Sequence, residues 1–361
     1  MFSKKDLQSL AEYQSQNGMV LSLYLNVDPR EQTTDEYKLA LRQMLKEVDG
    51  VAATADLEAV ERYINLEYDW SGRGVALFSC AADDFWRAYK LAVPVESQVI
   101  VARKPHVTPL ADLWDAYGRY AVLQVDREGA RAFFFTMGEL VETRGIMGES
   151  IKRHKQGGWG AEKLQRHEDE VAKSNLKEAV NFFTDFCEAF QPRWLVVAGT
   201  EPTLSQVMDL MPKALRDKVV GTFAAEMTAN ENEIRDRSLE LLREAERKRE
   251  VALVEAAFTA AAKGSNGVWR LDDTLGAAFE GRIQTLLVSR GFHAPGYRCR
   301  GCGYVTAHRL EECPFCGGEV AEIPDAVEVL ISQVIEQGGR VEVIPNNERL
   351  KEAGVGALLR Y

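Results

Sequence analysis

At 361 residues, 46% hydrophobic and 27% charged, the chain has an ordinary globular composition and too much length for one ordinary core, so two or three domains are expected. A formal net charge of −11 argues against a protein that coats nucleic acid, DNA included, through bulk charge, and no apolar run reaches the roughly 18–20 residues of a membrane span. The polar start, MFSKKDLQSLAEYQ, carries no signal-peptide core, which makes a cytoplasmic location the expectation.

In chain order, residues 20–27 read as a strand stopped by Asp28-Pro29, and residues 34–48 as a helix whose apolar residues are Tyr37, Leu39, Leu41, Met44 and Leu45. Residues 74–80 and 85–93 read as strands paired across a short acidic turn. A second block starts near Tyr120, where residues 121–125, 130–135 and 139–143 predict a meander. A helix over residues 162–190 follows, then the fully apolar strand 194–199, as expected inside a sheet covered on both faces. Residues 231–262 predict a long helix whose alternating charges read as a solvated face. Asp272-Asp273 reads as the cap of a helix through Phe279, before a strand at 285–289, a helix at 325–337 and a strand at 340–344. The alternation predicts an α/β or α+β chain divided at about 1–117, 118–257 and 258–361.

Of six cysteines, Cys80 and Cys187 stand alone in apolar surroundings and read as reduced, buried thiols. The other four form two C-x-x-C pairs, Cys299/Cys302 and Cys313/Cys316, separated by ten residues and each followed by a glycine, Gly303 and Gly317. Four thiolates at this spacing suit a closed tetrahedral zinc site, and a catalytic zinc would need an open position that four thiolates do not leave. A structural Zn2+ ribbon over residues 297–319 is therefore expected. Arg298, Arg300, His308 and Arg309 are either solvated charges on it or contacts to a partner, and His308 is a spare ligand that the cysteines do not require.

The segment Lys155-Gln-Gly-Gly-Trp-Gly-Ala-Glu-Lys-Leu-Gln-Arg166 joins a Gly-Gly pair to the start of a helix. Lys152, Arg153, Lys155, Lys163 and Arg166 oppose one acid, Glu162, so the segment is cationic within an acidic protein. Gly157 and Gly158 allow the backbone to turn through positive φ and to approach a phosphate with no Cβ in the way. A surface loop ahead of a helix is the plainer alternative. His154 and His167 flank the pair, as acid–base candidates or as polar residues facing RNA.

This segment resembles the Gly-Gly-Gln loop, and the helix after it, of the archaeal and eukaryotic class-1 release factor and Pelota superfamily, in its bacterial branch. The run Asp272 to Val288 is similar to the opening of that superfamily's third domain, and Gly354-Val-Gly-Ala-Leu-Leu-Arg-Tyr361 to its closing motif. Leu21 to Pro29 is similar to the bacterial branch alone. The resemblance implies a three-domain, tRNA-mimicking α/β architecture: a central mixed-sheet domain carrying the Gly-Gly loop, and a C-terminal α/β domain with the inserted zinc ribbon. It implies a protein of the ribosomal A site, in contact with ribosomal RNA and P-site peptidyl-tRNA and with a translational GTPase as a possible partner. The loop residues so implicated are Lys152, Arg153, His154, Lys155, Gly157, Gly158, Trp159, Lys163 and Arg166.

The departures are as informative. Trp159 stands where the family has its catalytic Gln, and an indole N–H donor without an acceptor cannot copy an amide. Trp159 can instead stack on an exposed base or anchor its own loop. Ala161 stands where many bacterial relatives carry a Gln, which leaves Gln156 and Gln165 as candidate catalytic amides. The first domain has neither an Asn-Ile-Lys-Ser nor a Tyr-x-Cys match, so stop-codon reading is not expected. Three functions follow: a ribosome rescue or hibernation factor, a codon-independent peptidyl-tRNA hydrolase, or a zinc-ribbon scaffold with no ribosomal role.

Overall fold

The computed structural model describes residues 2–69, 71–150 and 161–361, with the side chains of residues 161–165 outside that description. The chain divides into two compact units, Met1–Ala245 and Glu246–Tyr361.

The first unit begins with α1 (Lys4–Glu12), β1 (Val20–Asn26), α2 (Thr34–Glu47) and α3 (Thr54–Arg62). Ser3 and Thr33 close capping boxes on α1 and α2 with Asp6 and Glu36, which satisfies backbone N–H groups that have no partner inside the helix. Strands β2 (Gly74–Cys80), β3 (Phe85–Leu91) and β4 (Gln98–Ala102) join β1 in an antiparallel sheet of order β3-β2-β1-β4. The expected hairpin is present, with Gly74 opposite Leu91 and Cys80 opposite Phe85. β1 is apolar at almost every position because both faces are covered. Leu21, Leu23 and Leu25 pack with α2 and α3 residues such as Leu41, Leu45 and Val60, while Val20 and Tyr24 belong to a second apolar cluster.

That second cluster continues into the next sheet. After α4 (Thr108–Tyr117) come β5 (Tyr120–Val125), β6 (Gly129–Thr136) and β7 (Glu139–Met147), the expected meander. α5 (Ala161–Phe190), β8 (Trp194–Gly199), α6 (Glu201–Leu210), α7 (Lys213–Arg216) and β9 (Val219–Ala224) complete a mixed sheet of order β7-β6-β5-β8-β9, in which β5, β8 and β9 are parallel. Alternation along β5 sends Tyr120 and Val122 to the cluster shared with Val20, Tyr24 and Phe78, and Ala121, Leu123 and Val125 to the face beneath α5. α5 covers that face with Leu176, Ala179, Val180, Phe183 and Cys187, a spacing of three or four residues that returns each side chain to one side of the helix. Cys80 and Cys187 are both free and buried, as expected, and burial pushes the Cys187 thiol up to about 12.

α8 (Glu231–Ala262) starts in the first unit, where Ile234, Leu239 and Leu242 are buried, and ends in the second, where Val254 and Ala257 are buried. The second unit continues with β10 (Gly267–Trp269), α9 (Leu271–Phe279), β11 (Ile283–Ser289), β12 (Gly296–Cys299), β13 (Val305–Thr306), β14 (Val320–Ile323), α10 (Ala326–Glu336), β15 (Arg340–Ile344), α11 (Glu348–Ala353) and β16 (Val355–Leu359). Its main sheet has the order β10-β16-β11-β15, with only the β11/β15 pair parallel, and β12–β14 form a separate three-stranded sheet of order β13-β12-β14. Asp272 and Asp273 do not cap α9, as the sequence suggested, but lie in its first turn, where their charge favours the positive end of the helix. The cap is Arg270 at φ 77°, fixed by its N–H to the Val355 carbonyl and by Thr274, whose N–H and hydroxyl both bond to the Arg270 carbonyl. Among the described residues, no helix is long and apolar enough to cross a membrane.

Candidate metal centre and the stem of the Gly-Gly segment

The four paired cysteines converge at one end of the three-stranded sheet. Cys299 ends β12, and in each pair the glycine after the second cysteine closes a turn back to the first: Gly303 N–H to the Cys299 carbonyl at 3.1 Å and Gly317 N–H to the Cys313 carbonyl at 2.9 Å. Both glycines have positive φ, 78° and 67°, so the sequence reading of their role holds at the level of the backbone. The four Sγ atoms all lie within 4.8 Å of one another, with Cys299–Cys316 at 3.4 Å and Cys302–Cys313 at 3.5 Å. Thiolates about 2.3 Å from a tetrahedral metal are roughly 3.8 Å apart, so this donor set fits such an ion. A Cβ at Gly301, inside the first pair, or at Gly318, two residues after the second, would come to 3.1–3.2 Å from these sulfurs, so both glycines make room for the cluster.

The surroundings account for other residues of this insert. Arg300 pairs with Glu319 at 3.0 Å, and His308 Nε2 lies 3.2 Å from Asp272. Phe279, Tyr304 and Phe315 pack edge-to-face or tilted against one another with centroids 4.7–5.2 Å apart, joining α9 to the turn between Cys313 and Cys316.

The Gly-Gly segment itself is a different case. Lys152, Arg153, His154, Lys155, Gln156, Gly157, Gly158 and Trp159 lie outside the described residues, as do the side chains of Lys163 and Gln165. Arg166 and His167 are exposed on α5. What is described is the stem. β7 pairs with β6 as far as Met147 opposite Gly129, and Gly148 extends the pairing by donating its N–H to the Glu128 carbonyl at 2.7 Å. Asp126 shapes the adjoining β5–β6 turn by accepting from the N–H groups of Glu128 and Gly129, both at 2.8 Å. Arg127, at the tip of that turn, reaches Asp169 on α5 at 2.6 Å. Asn175, also on α5 and 6% exposed, contacts Glu149 and the Arg127 carbonyl. A Cβ on Gly148 would stand 2.4 Å from Asn175 Oδ1, so only glycine fits there. Sequence reasoning passed over both residues. The available signal was an asparagine within the apolar stripe of a helix, one residue before Leu176.

A profile of bacterial archaeo-eukaryotic release factor family 10 matches residues 105–247, which enclose this stem, the Gly-Gly segment and α5. No curated protein matches this chain. Among solved structures, archaeal Pelota from a model of ribosome-bound Pelota and ABCE1 has 16% identity and a TM-score of 0.43, covering 99% of this chain and 94% of that one. Dom34 of S. cerevisiae, described as a translation termination-like factor interacting with Hbs1, has 12% identity and a TM-score of 0.40, covering 80% and 86%. The archaeal translation termination factor aRF1 has 16% identity and a TM-score of 0.27, covering 100% and 99%.

The closing motif acquires a physical reading from its neighbours. A Cβ on Gly354 would fall 2.2 Å from the Phe292 ring, and one on Gly356 would fall 2.4 Å from the Trp269 ring. The two glycines of Gly354-Val-Gly356 thus seat one aromatic ring each.

Proposed function

We propose that this chain is a ribosome A-site-binding, release-factor-like protein that acts in rescue or hibernation without decoding a stop codon. The observation that carries the proposal is the match to a release-factor family over residues 105–247, the stretch that contains the cationic Gly-Gly segment. Lys152, Arg153, Lys155, Lys163 and Arg166 supply phosphate contacts, and Gly157 and Gly158 permit close approach to a wall of ribosomal RNA next to P-site peptidyl-tRNA. Trp159 stacks on a base. Residues 1–117 face the decoding side, 118–257 carry the loop, and 258–361 meet a partner such as a translational GTPase.

The four cysteines hold Zn2+, whose preference for thiolates in a closed tetrahedron matches the donor set. Its contribution is to fold the insert, and no reaction step is assigned to it.

The deciding experiment mixes purified protein with ribosomes that hold peptidyl-tRNA and an empty A site, and scores co-pelleting and peptide release in one tube. Binding without release is expected. Binding with release would make the protein a hydrolase and direct attention to Gln156 and Gln165. Absence of binding, with and without added translational GTPase, would remove the ribosome from the account.

A further inference from the structure

We infer that Asn175 is the positioning residue for the Gly-Gly segment, acting through the backbone of Glu149; this inference rests on the ribosomal function proposed above. Asn175 Oδ1 accepts from the Glu149 N–H at 2.9 Å, and Nδ2 donates to the Glu149 carbonyl at 2.9 Å. Its second Nδ2 proton goes to the Arg127 carbonyl, also at 2.9 Å. A strand neighbour exchanges both bonds with one residue in this same way, so the side chain on α5 takes the place of a ladder residue just beyond the last β6–β7 pair. The amide has one workable orientation, because turning it over would point its NH2 group at the Glu149 N–H and its oxygen at two carbonyls.

The consequence is geometric. α5 starts at Ala161, immediately after the Gly-Gly segment, and the same helix carries the side chain that holds the backbone before that segment. Between the two points lie roughly 21 Å of helix at 1.5 Å per residue. Between Arg166 and Asn175 only Ala172 is buried before Asn175 itself, so the helix packs closely on the sheet only from about this level onward. Both flanks of residues 150–160 are therefore referred to one rigid element, and Asn175 sets the fixed point for the first flank. Arg127 reinforces it, because the residue whose carbonyl receives the Asn175 bond also pairs with Asp169 on the exposed part of α5.

The test compares Asn175→Ala and Asn175→Asp with Phe183→Leu, a change at a fully buried α5 position that loosens the helix by packing alone. Asn175→Asp keeps the acceptor for the Glu149 N–H but sets a carboxylate oxygen against two carbonyls. Amide exchange is read at Glu149, with Gly148 as an internal reference because its partner is the Glu128 carbonyl. Affinity for ribosomes with peptidyl-tRNA and an empty A site is read in parallel. In both Asn175 variants the Glu149 amide is expected to exchange about tenfold faster, with Gly148 unchanged. Ribosome affinity is expected to fall about tenfold, and Phe183→Leu, at a matched loss of melting temperature, to keep the parent affinity. Unchanged exchange at Glu149 overturns the clamp. Faster exchange with undiminished affinity overturns the positioning role, as does an equal affinity loss in Phe183→Leu. A parent protein that fails to bind ribosomes refutes the proposed function instead, and the exchange measurement still decides whether the clamp exists.

Discussion

The Trp269 ring occupies the space directly over Gly356, so that a Cβ there would lie 2.4 Å from the indole. Trp269 belongs to β10 and Gly356 to β16, and the two residues are opposite one another in the antiparallel register. The closing motif thus contributes a flat seat for an aromatic residue from a neighbouring strand.

Gly356→Ala should accordingly destabilise the second unit by about 1–3 kcal/mol, the usual cost of forcing extra volume into a packed site. Val355→Ile, at the adjacent position, is the control for generic sensitivity of β16. Urea denaturation followed by amide exchange along β16 measures both. Equal stability of Gly356→Ala and the parent would remove the steric explanation.

Removing the metal should loosen the β12–β14 insert. Purified protein is expected to carry one zinc per chain by elemental analysis. Chelation, or Cys302→Ser, should lower the melting temperature of the second unit by about 5 °C or more, since structural zinc contributes folding free energy directly. Metal-free protein that melts with the parent would mean that the four sulfurs do not depend on an ion.

Acid should release the chain between α1 and β1. Asp83 accepts from the Ser15 hydroxyl at 2.6 Å, the Asn17 amide at 2.7 Å, the Gln16 N–H at 2.9 Å and the Tyr13 hydroxyl at 3.2 Å. The Ser15 bond is the largest influence holding its carboxyl down to about 2, against about 3.9 for an ordinary aspartate. A lowered folded-state value means the contribution is complete above about pH 4 and disappears as pH falls through about 2. Exchange at the Gln16 amide should therefore accelerate over that window beyond its intrinsic pH dependence. Asp83→Asn should show the fast behaviour already at neutral pH.

Charge reversal at Lys152, Arg153 and Lys155 should weaken ribosome binding and flatten its dependence on salt, because fewer counterions are released when fewer phosphates are neutralised. Titrations at two or more ionic strengths give the slope. An unaltered affinity would disconnect this segment from the ribosome. Gln156→Ala and Gln165→Ala should leave binding intact, and they matter for release only if release occurs.

The parts of the molecule legible in the sequence are those written in short-range pattern. The doubly covered strands β1 and β8 are nearly continuous apolar runs, and α5 repeats its buried residues every three or four positions. The cysteine cluster was legible for the same reason, since two C-x-x-C-Gly turns carry their own geometry. Several elements passed unread, among them α3, β4, α6 and β9, which are short and half-exposed with patterns that their flanking segments resemble. For the Gly-Gly segment, family resemblance supplied the reading, and residues 151–160 lie outside the structural description.

By itself, then, the sequence determined the longer and more strongly patterned strands and helices and which four sulfurs would share a site. Tertiary structure decided that Asn175 meets Glu149 across 26 positions, that Asp83 gathers residues 13–17, and that β5 lies between β6 and β8. The physical reason is that local pattern fixes which face of an element seeks burial. A polar side chain's partner depends instead on which backbone groups are left unpaired where distant segments meet, and those exist only once the sheets have assembled.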